Sequence, residues 1–77
     1  MSNEDLIKLL NLIAWDFDRL SKSGQLVSEE MFEKLEEGIP FNKLRRYLKM
    51  LCWDYDRMSS GLQREMQYAN KQLGLEL

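Results

Sequence analysis

Four aspartates are the residues in this chain whose type and spacing could do chemistry. Asp16 and Asp18 lie in Trp15-Asp16-Phe17-Asp18-Arg19-Leu20-Ser21, and Asp54 and Asp56 in Trp53-Asp54-Tyr55-Asp56-Arg57-Met58-Ser59. Paired carboxylates can hold a cation or divide acid–base work between them. The spacing opposes this here. Residues two apart on a helix point in different directions, so Asp16 and Asp18 cannot clamp one ion unaided. A site would need Asp16 to meet Asp54. The structural alternative pairs Asp16 with Arg19 or Arg57, and Asp54 with Arg57 or Arg19, one guanidinium to each carboxylate. Ion pairing is the expectation.

The chain has no histidine. That removes the commonest general base, the commonest metal ligand and every Ser-His or Cys-His nucleophile. No glycine-rich phosphate loop is present. The chain is therefore read as a non-enzyme with no catalytic residue, no cofactor and no metal site.

Binding chemistry is better represented. On a helix, Trp15 falls about 160° from Ile13, opposite the apolar side, with Lys8, Leu12 and Arg19 near it. The corresponding face further on holds Arg46, Met50, Trp53 and Arg57. Arg19 and Arg57 each follow a tryptophan by four residues, within reach of cation–π stacking. Two readings follow. Short helices wrap the long ones and bury both tryptophans, or Leu12, Trp15, Arg19, Met50, Trp53 and Arg57 form a protein-binding surface, since exposed Trp beside Arg is typical of binding hot spots. The occupant would be another protein or a second copy of the chain, as a homodimer.

A second candidate is charge. Lys43, Arg45, Arg46 and Lys49 crowd one helix start, just after Glu29, Glu30, Glu33, Glu36 and Glu37. The stretch Glu33 to Tyr47, with Gly38 in its turn, Ile39 after it and a basic helix beyond, resembles the turn of a helix-turn-helix DNA-binding unit. That resemblance implies nucleic-acid binding through Lys43, Arg45, Arg46 and Lys49. The chain departs from it at Lys34, where a small residue is usual, and at Glu37, where an apolar one is. The acidic helix would also repel phosphates. The competing reading is an acidic and a basic helix attracting each other within the fold.

The two tryptophan stretches are thirty-eight residues apart, from Trp15 to Trp53. Around them Leu6, Leu10, Trp15, Asp16, Asp18, Arg19 and Ser21 recur as Leu44, Leu48, Trp53, Asp54, Asp56, Arg57 and Ser59. The pattern reads as an internal duplication, with repeats at 6–38 and 44–74.

The elements that must position these residues are helices. Ser2 and Asp5 suit a helix start, and Leu6, Leu10, Ile13, Phe17 and Leu20 make one stripe over about Asn3 to Ser21, ended by Ser23-Gly24. Ser28 is expected to cap a second helix with Met31, Phe32 and Leu35 inside and Gly38 as its stop. A third starts near Pro40 or Phe41 with Leu44, Leu48, Leu51, Tyr55 and Met58. Ser59-Ser60-Gly61 matches the earlier Ser-Lys-Ser-Gly with one residue missing. A fourth runs from about Leu62 to Leu73, with Gly74 and a short tail after it. If Gly61 is helical, the last two helices merge and halves could exchange between copies.

The expected fold is all-α: a small four-helix arrangement of two duplicated helical hairpins, long-short-long-short, related by a pseudo-two-fold. One domain over 1–77 is expected, since each half is too small to fold alone. A net charge of −2 sets up no strong field. The single cysteine, Cys52, excludes an internal disulfide. It recurs opposite Ala14, which suggests a small buried side chain. No apolar run is long enough to cross a membrane, and the acidic start is unlike a signal peptide. A cytoplasmic location is expected. The functional expectation is a small protein-binding regulator, as adaptor, inhibitor or accessory subunit.

Overall fold

The computed structural model describes residues 2–74; the tail Leu75-Glu76-Leu77 lies outside the described residues. Four helices make an all-α bundle: α1 Asn3–Trp15, α2 Lys22–Lys34, α3 Phe41–Leu51 and α4 Ser60–Gln72. Short 3-10 turns, Phe17–Arg19 and Cys52–Arg57, follow α1 and α3.

Local chemistry explains the starts. Ser2 Oγ accepts from the Asp5 amide at 3.2 Å and the Asp5 carboxylate accepts from the Ser2 amide, a reciprocal capping box at α1. Ser21 and Ser59 cap α2 and α4 through their hydroxyls. Pro40 stands immediately before α3 with φ −58°, where its missing amide hydrogen is not needed. Gly38, at φ +86°, reverses the chain between α2 and α3.

The helix lengths differ from the expected alternation. They are 13, 13, 11 and 13 residues, because α1 stops at Trp15 and α2 begins early. The first-helix stripe carries on past α1 in the 3-10 turn, which still brings Leu20 inside and leaves Phe17 half-buried. Ser23-Gly24 does not end a helix; both residues lie in the first turn of α2. Ser28 is not a cap. It is fully buried mid-helix, and its hydroxyl donates to the Gly24 carbonyl at 2.8 Å. A hydroxyl that bonds back one turn is satisfied inside a helix, which is why a serine could mislead.

Gly61 is helical, yet α3 and α4 do not merge. The break falls earlier, at Met58, where ψ is 150°. Ser59 therefore stands at the capping position that Ser21 occupies in the first half, with no residue missing between the two.

The core is one cluster. Leu9, Ile13, Met31, Leu48, Leu51, Leu62 and Met66 are fully buried. Leu9 and Tyr47 join it from outside the expected stripes, because a globular helix buries a face wider than one residue per turn. α1 packs on α2 and α4, and α3 packs on the same two helices. This seats α1 and α3 diagonally across the core. The turns after α1 and α3 share one end of the bundle. At the other end a cleft of about 270 Å³ gathers the start of α1, the α2–α3 connection and Leu73. Among the described residues no helix is long and apolar enough to cross a membrane.

Candidate interaction surface

Both tryptophans are outside. Trp15 is 86% exposed and Trp53 89%, the two most exposed large apolar side chains among the described residues. Trp15 closes α1 on the side away from Leu6, Leu9, Leu10 and Ile13. Trp53 opens outward from the 3-10 turn after α3. Since α1 and α3 stand diagonally, their outward faces look away from each other. Leu12, Trp15 and Arg19 make one group; Met50, Trp53 and Arg57 make the other. Leu12 is half-buried against the core, whereas Met50 is 43% exposed.

The expected cation–π stacks are not formed. Arg19 and Arg57 sit on 3-10 turns, where a residue four further on no longer lies above its partner. Among the described residues the cation–π contact is Arg45 over the Phe41 ring, 5.9 Å from its centre.

The aspartates also behave otherwise than expected. Neither Asp16 nor Asp54 pairs with arginine. Asp16 Oδ2 accepts from the Ser59 amide at 2.9 Å and from the Ser59 hydroxyl at 2.7 Å. Asp54 Oδ2 accepts from the Ser21 amide at 3.2 Å and the Ser21 hydroxyl at 2.8 Å. Each carboxylate thus completes the cap of a helix in the opposite half, α4 for Asp16 and α2 for Asp54. Both carboxylates are buried, at 7% and 5% exposure. They sit at helix N-termini, where unpaired amides and the helix dipole favour negative charge, so no guanidinium is required. Arg19 and Arg57 stay in solvent. The same end carries a second matched pair: Gln25 Nε2 donates to the Phe17 carbonyl at 3.0 Å, and Gln63 Nε2 to the Tyr55 carbonyl at 2.8 Å. Sequence reasoning missed Ser21 and Ser59 as partners, although their recurrence beside the aspartates was the available signal. These four side chains stabilise the turns that hold the tryptophans out. Among the described residues, no group of three acidic or thiol side chains is placed to hold a metal.

The basic residues divide. Lys43, Arg45, Arg46 and Lys49 are all exposed. Lys43 faces α2, and the neighbouring Lys34 ammonium holds it below the usual lysine range. Glu30 is held below the usual carboxylate range by the Tyr47 hydroxyl and by Lys34, its 3.3 Å ion-pair partner. Arg45, Arg46 and Lys49 instead line a shallow concavity with Asn42 on the outer side of α3.

Cys52 is half-buried. Burial pushes its thiol up, opposed by a weak bond from Asn70, whose Nδ2 lies 3.6 Å from the sulfur. A raised pKa means less thiolate at neutral pH. Iodoacetamide at pH 7.5 should therefore alkylate Cys52 more slowly than it alkylates glutathione, with an inflection above that of an ordinary thiol. Alkylation as fast as glutathione's would show the sulfur to be open and unperturbed.

No protein-family model, curated protein or solved structure matches this chain.

Proposed function

We propose that the chain is a small non-enzymatic protein-binding regulator that works through its tryptophan-bearing helix ends. The observation that carries this is the near-complete exposure of Trp15, at the end of α1, and of Trp53, on the turn after α3, beside turns fixed by partly buried hydrogen bonds. An indole in water on a rigid support loses little conformational freedom on binding, which is why such residues dominate interface energetics. The duplication and its pseudo-two-fold belong to the same proposal, supported by the reciprocal Asp–Ser bonds. So does a cytoplasmic setting, which suits a chain with a single free cysteine.

Trp15→Ala combined with Trp53→Ala should leave helical circular dichroism unchanged and the thermal midpoint within about 3 °C, because both side chains lie outside the core. The same variant should bind a protein partner of the wild-type chain at least thirtyfold more weakly, about 2 kcal/mol. Retained binding, or loss of helix, would reject the reading.

A second reading has one specific observation behind it. Arg45, Arg46 and Lys49 are exposed side by side without a carboxylate partner among the described residues. Duplex DNA binding through them and Lys43 would fall steeply with salt and vanish in Arg45→Ala with Arg46→Ala.

A further inference from the structure

The two candidate surfaces meet on α3. The concavity lined by Asn42, Arg45, Arg46 and Lys49 shares Lys49 with a second one lined by Lys49, Cys52 and Trp53. Asn42, Arg46 and Lys49 follow four- and three-residue steps, so they form one stripe about 150–170° from the buried face of α3, and Trp53, on the 3-10 turn after α3, stands beside Lys49 at its end. Met50 flanks it, 43% exposed. None of Arg45, Arg46, Lys49 and Arg57 is in an ion pair among the described residues.

The face of α1 is different. At the corresponding offsets stand Glu4, Lys8, Asn11 and Trp15. Lys8 is neutralised by Glu65 at 3.0 Å. With Glu4 at its start, Lys8 paired and Arg19 alone beside Trp15, the α1 face carries no run of cations, whereas the α3 face offers an indole at the end of a cationic track.

We infer that the outer face of α3 and of the turn after it, from Asn42 to Trp53, is the docking face for an acidic protein segment whose carboxylates meet Arg45, Arg46 and Lys49 and whose apolar side chain covers Trp53 and Met50. The inference rests on the protein-binding reading and names the partner's chemistry for one of its two surfaces. Charge complementarity selects the sign of the partner. The neighbouring helix selects its kind. α2 packs directly against α3, and α2 and the turn after it expose Glu29, Glu30, Glu33, Glu36 and Glu37. A nucleic acid carries its phosphates in long runs and would pass near these carboxylates, which repel it. A short acidic segment confined to the stripe avoids them. Lys43 lies beside Lys34 of α2 and adds little to the track.

The test uses the full chain with Trp15→Phe, so that Trp53 is the sole indole. The probe is a synthetic peptide of three tandem Glu-Glu-Leu-Phe units, with a Lys-Lys-Leu-Phe counterpart and a mixed-sequence DNA oligonucleotide as comparisons. Expected is a blue shift of Trp53 emission with the acidic peptide. Arg46→Glu with Lys49→Glu should weaken it at least about tenfold, and added salt should weaken it too. No shift, or an equal shift with the lysine peptide, overturns the inference. Tighter binding of the oligonucleotide than of the acidic peptide overturns it in favour of a nucleic-acid surface. The reciprocal chain, with Trp53→Phe, separates the two levels. A response at Trp15 alone defeats the α3 assignment and leaves protein binding standing. Silence at both tryptophans, with a partner that the double-alanine variant still binds, defeats both.

Discussion

Replacing Asp16 and Asp54 together by alanine should unfold the domain at 25 °C. Each carboxylate accepts an amide and a hydroxyl from the serine that caps a helix in the other half of the chain. Hydrogen bonds to a charged acceptor contribute about 1.5–3 kcal/mol, and a buried donor left without a partner loses a similar amount. The two bonds on one carboxylate are not independent, so each single substitution should cost about 2–3 kcal/mol. A core of this size supplies only about 3–5 kcal/mol of net stability. The single variants should then remain folded with lowered urea midpoints, and the double variant should show no cooperative transition. Arg19→Ala and Arg57→Ala are the controls. Both arginines are exposed and neither bonds an aspartate, so each should change stability by less than about 0.5 kcal/mol. Arginine variants as damaging as the aspartate ones would restore the ion-pair account.

That contrast shows where sequence reasoning reaches. The helices were legible because Leu6, Leu10 and Ile13, and again Leu44, Leu48 and Leu51, keep a helical period and are buried. The fourth helix followed for the same reason from Leu62, Met66, Ala69 and Leu73. The end of α1 was not legible. Phe17 and Leu20 continue the apolar period in sequence, but a 3-10 turn of the same residues also brings Leu20 inside, so periodicity cannot tell the two apart. The partners of Asp16 and Asp54 were hidden for a related reason. Opposite charges lie within four residues of each aspartate, whereas the serines that bind them are thirty-three and forty-three residues away and carry no charge. A local charge pattern predicts a local ion pair, and the packing of the two turns overrides it. The exposure of Trp15 and Trp53 was open in the sequence because the facing direction was readable but the presence of a covering helix was not. The four helices surround one core and leave that side of α1 and α3 bare.

Two glycines near helix starts should respond to the same substitution with opposite signs. Gly61 lies in the first turn of α4, and a Cβ there would meet nothing within 4 Å. Gly61→Ala removes unfolded-chain freedom and improves helix propensity, so it should stabilise by about 0.5–1 kcal/mol, a rise of roughly 3–6 °C in midpoint. Gly24 lies in the first turn of α2, and a Cβ there would overlap Asp54 Oδ2 and stand 3.3 Å from Leu20 Cβ. The aspartate cannot swing aside freely, because that same oxygen holds the Ser21 amide and hydroxyl. Gly24→Ala should therefore displace the carboxylate, break the cap and destabilise by about 1–3 kcal/mol in spite of alanine's better propensity. A double-substitution cycle isolates the cause. With Asp54→Ala already in place the oxygen is gone, and Gly24→Ala should become neutral or stabilising. If Gly24→Ala destabilises as much without the Asp54 carboxylate as with it, the close approach at this turn is not what requires glycine. If it stabilises in the wild-type background, the aspartate has room to move and the clamp is looser than the hydrogen bonds imply.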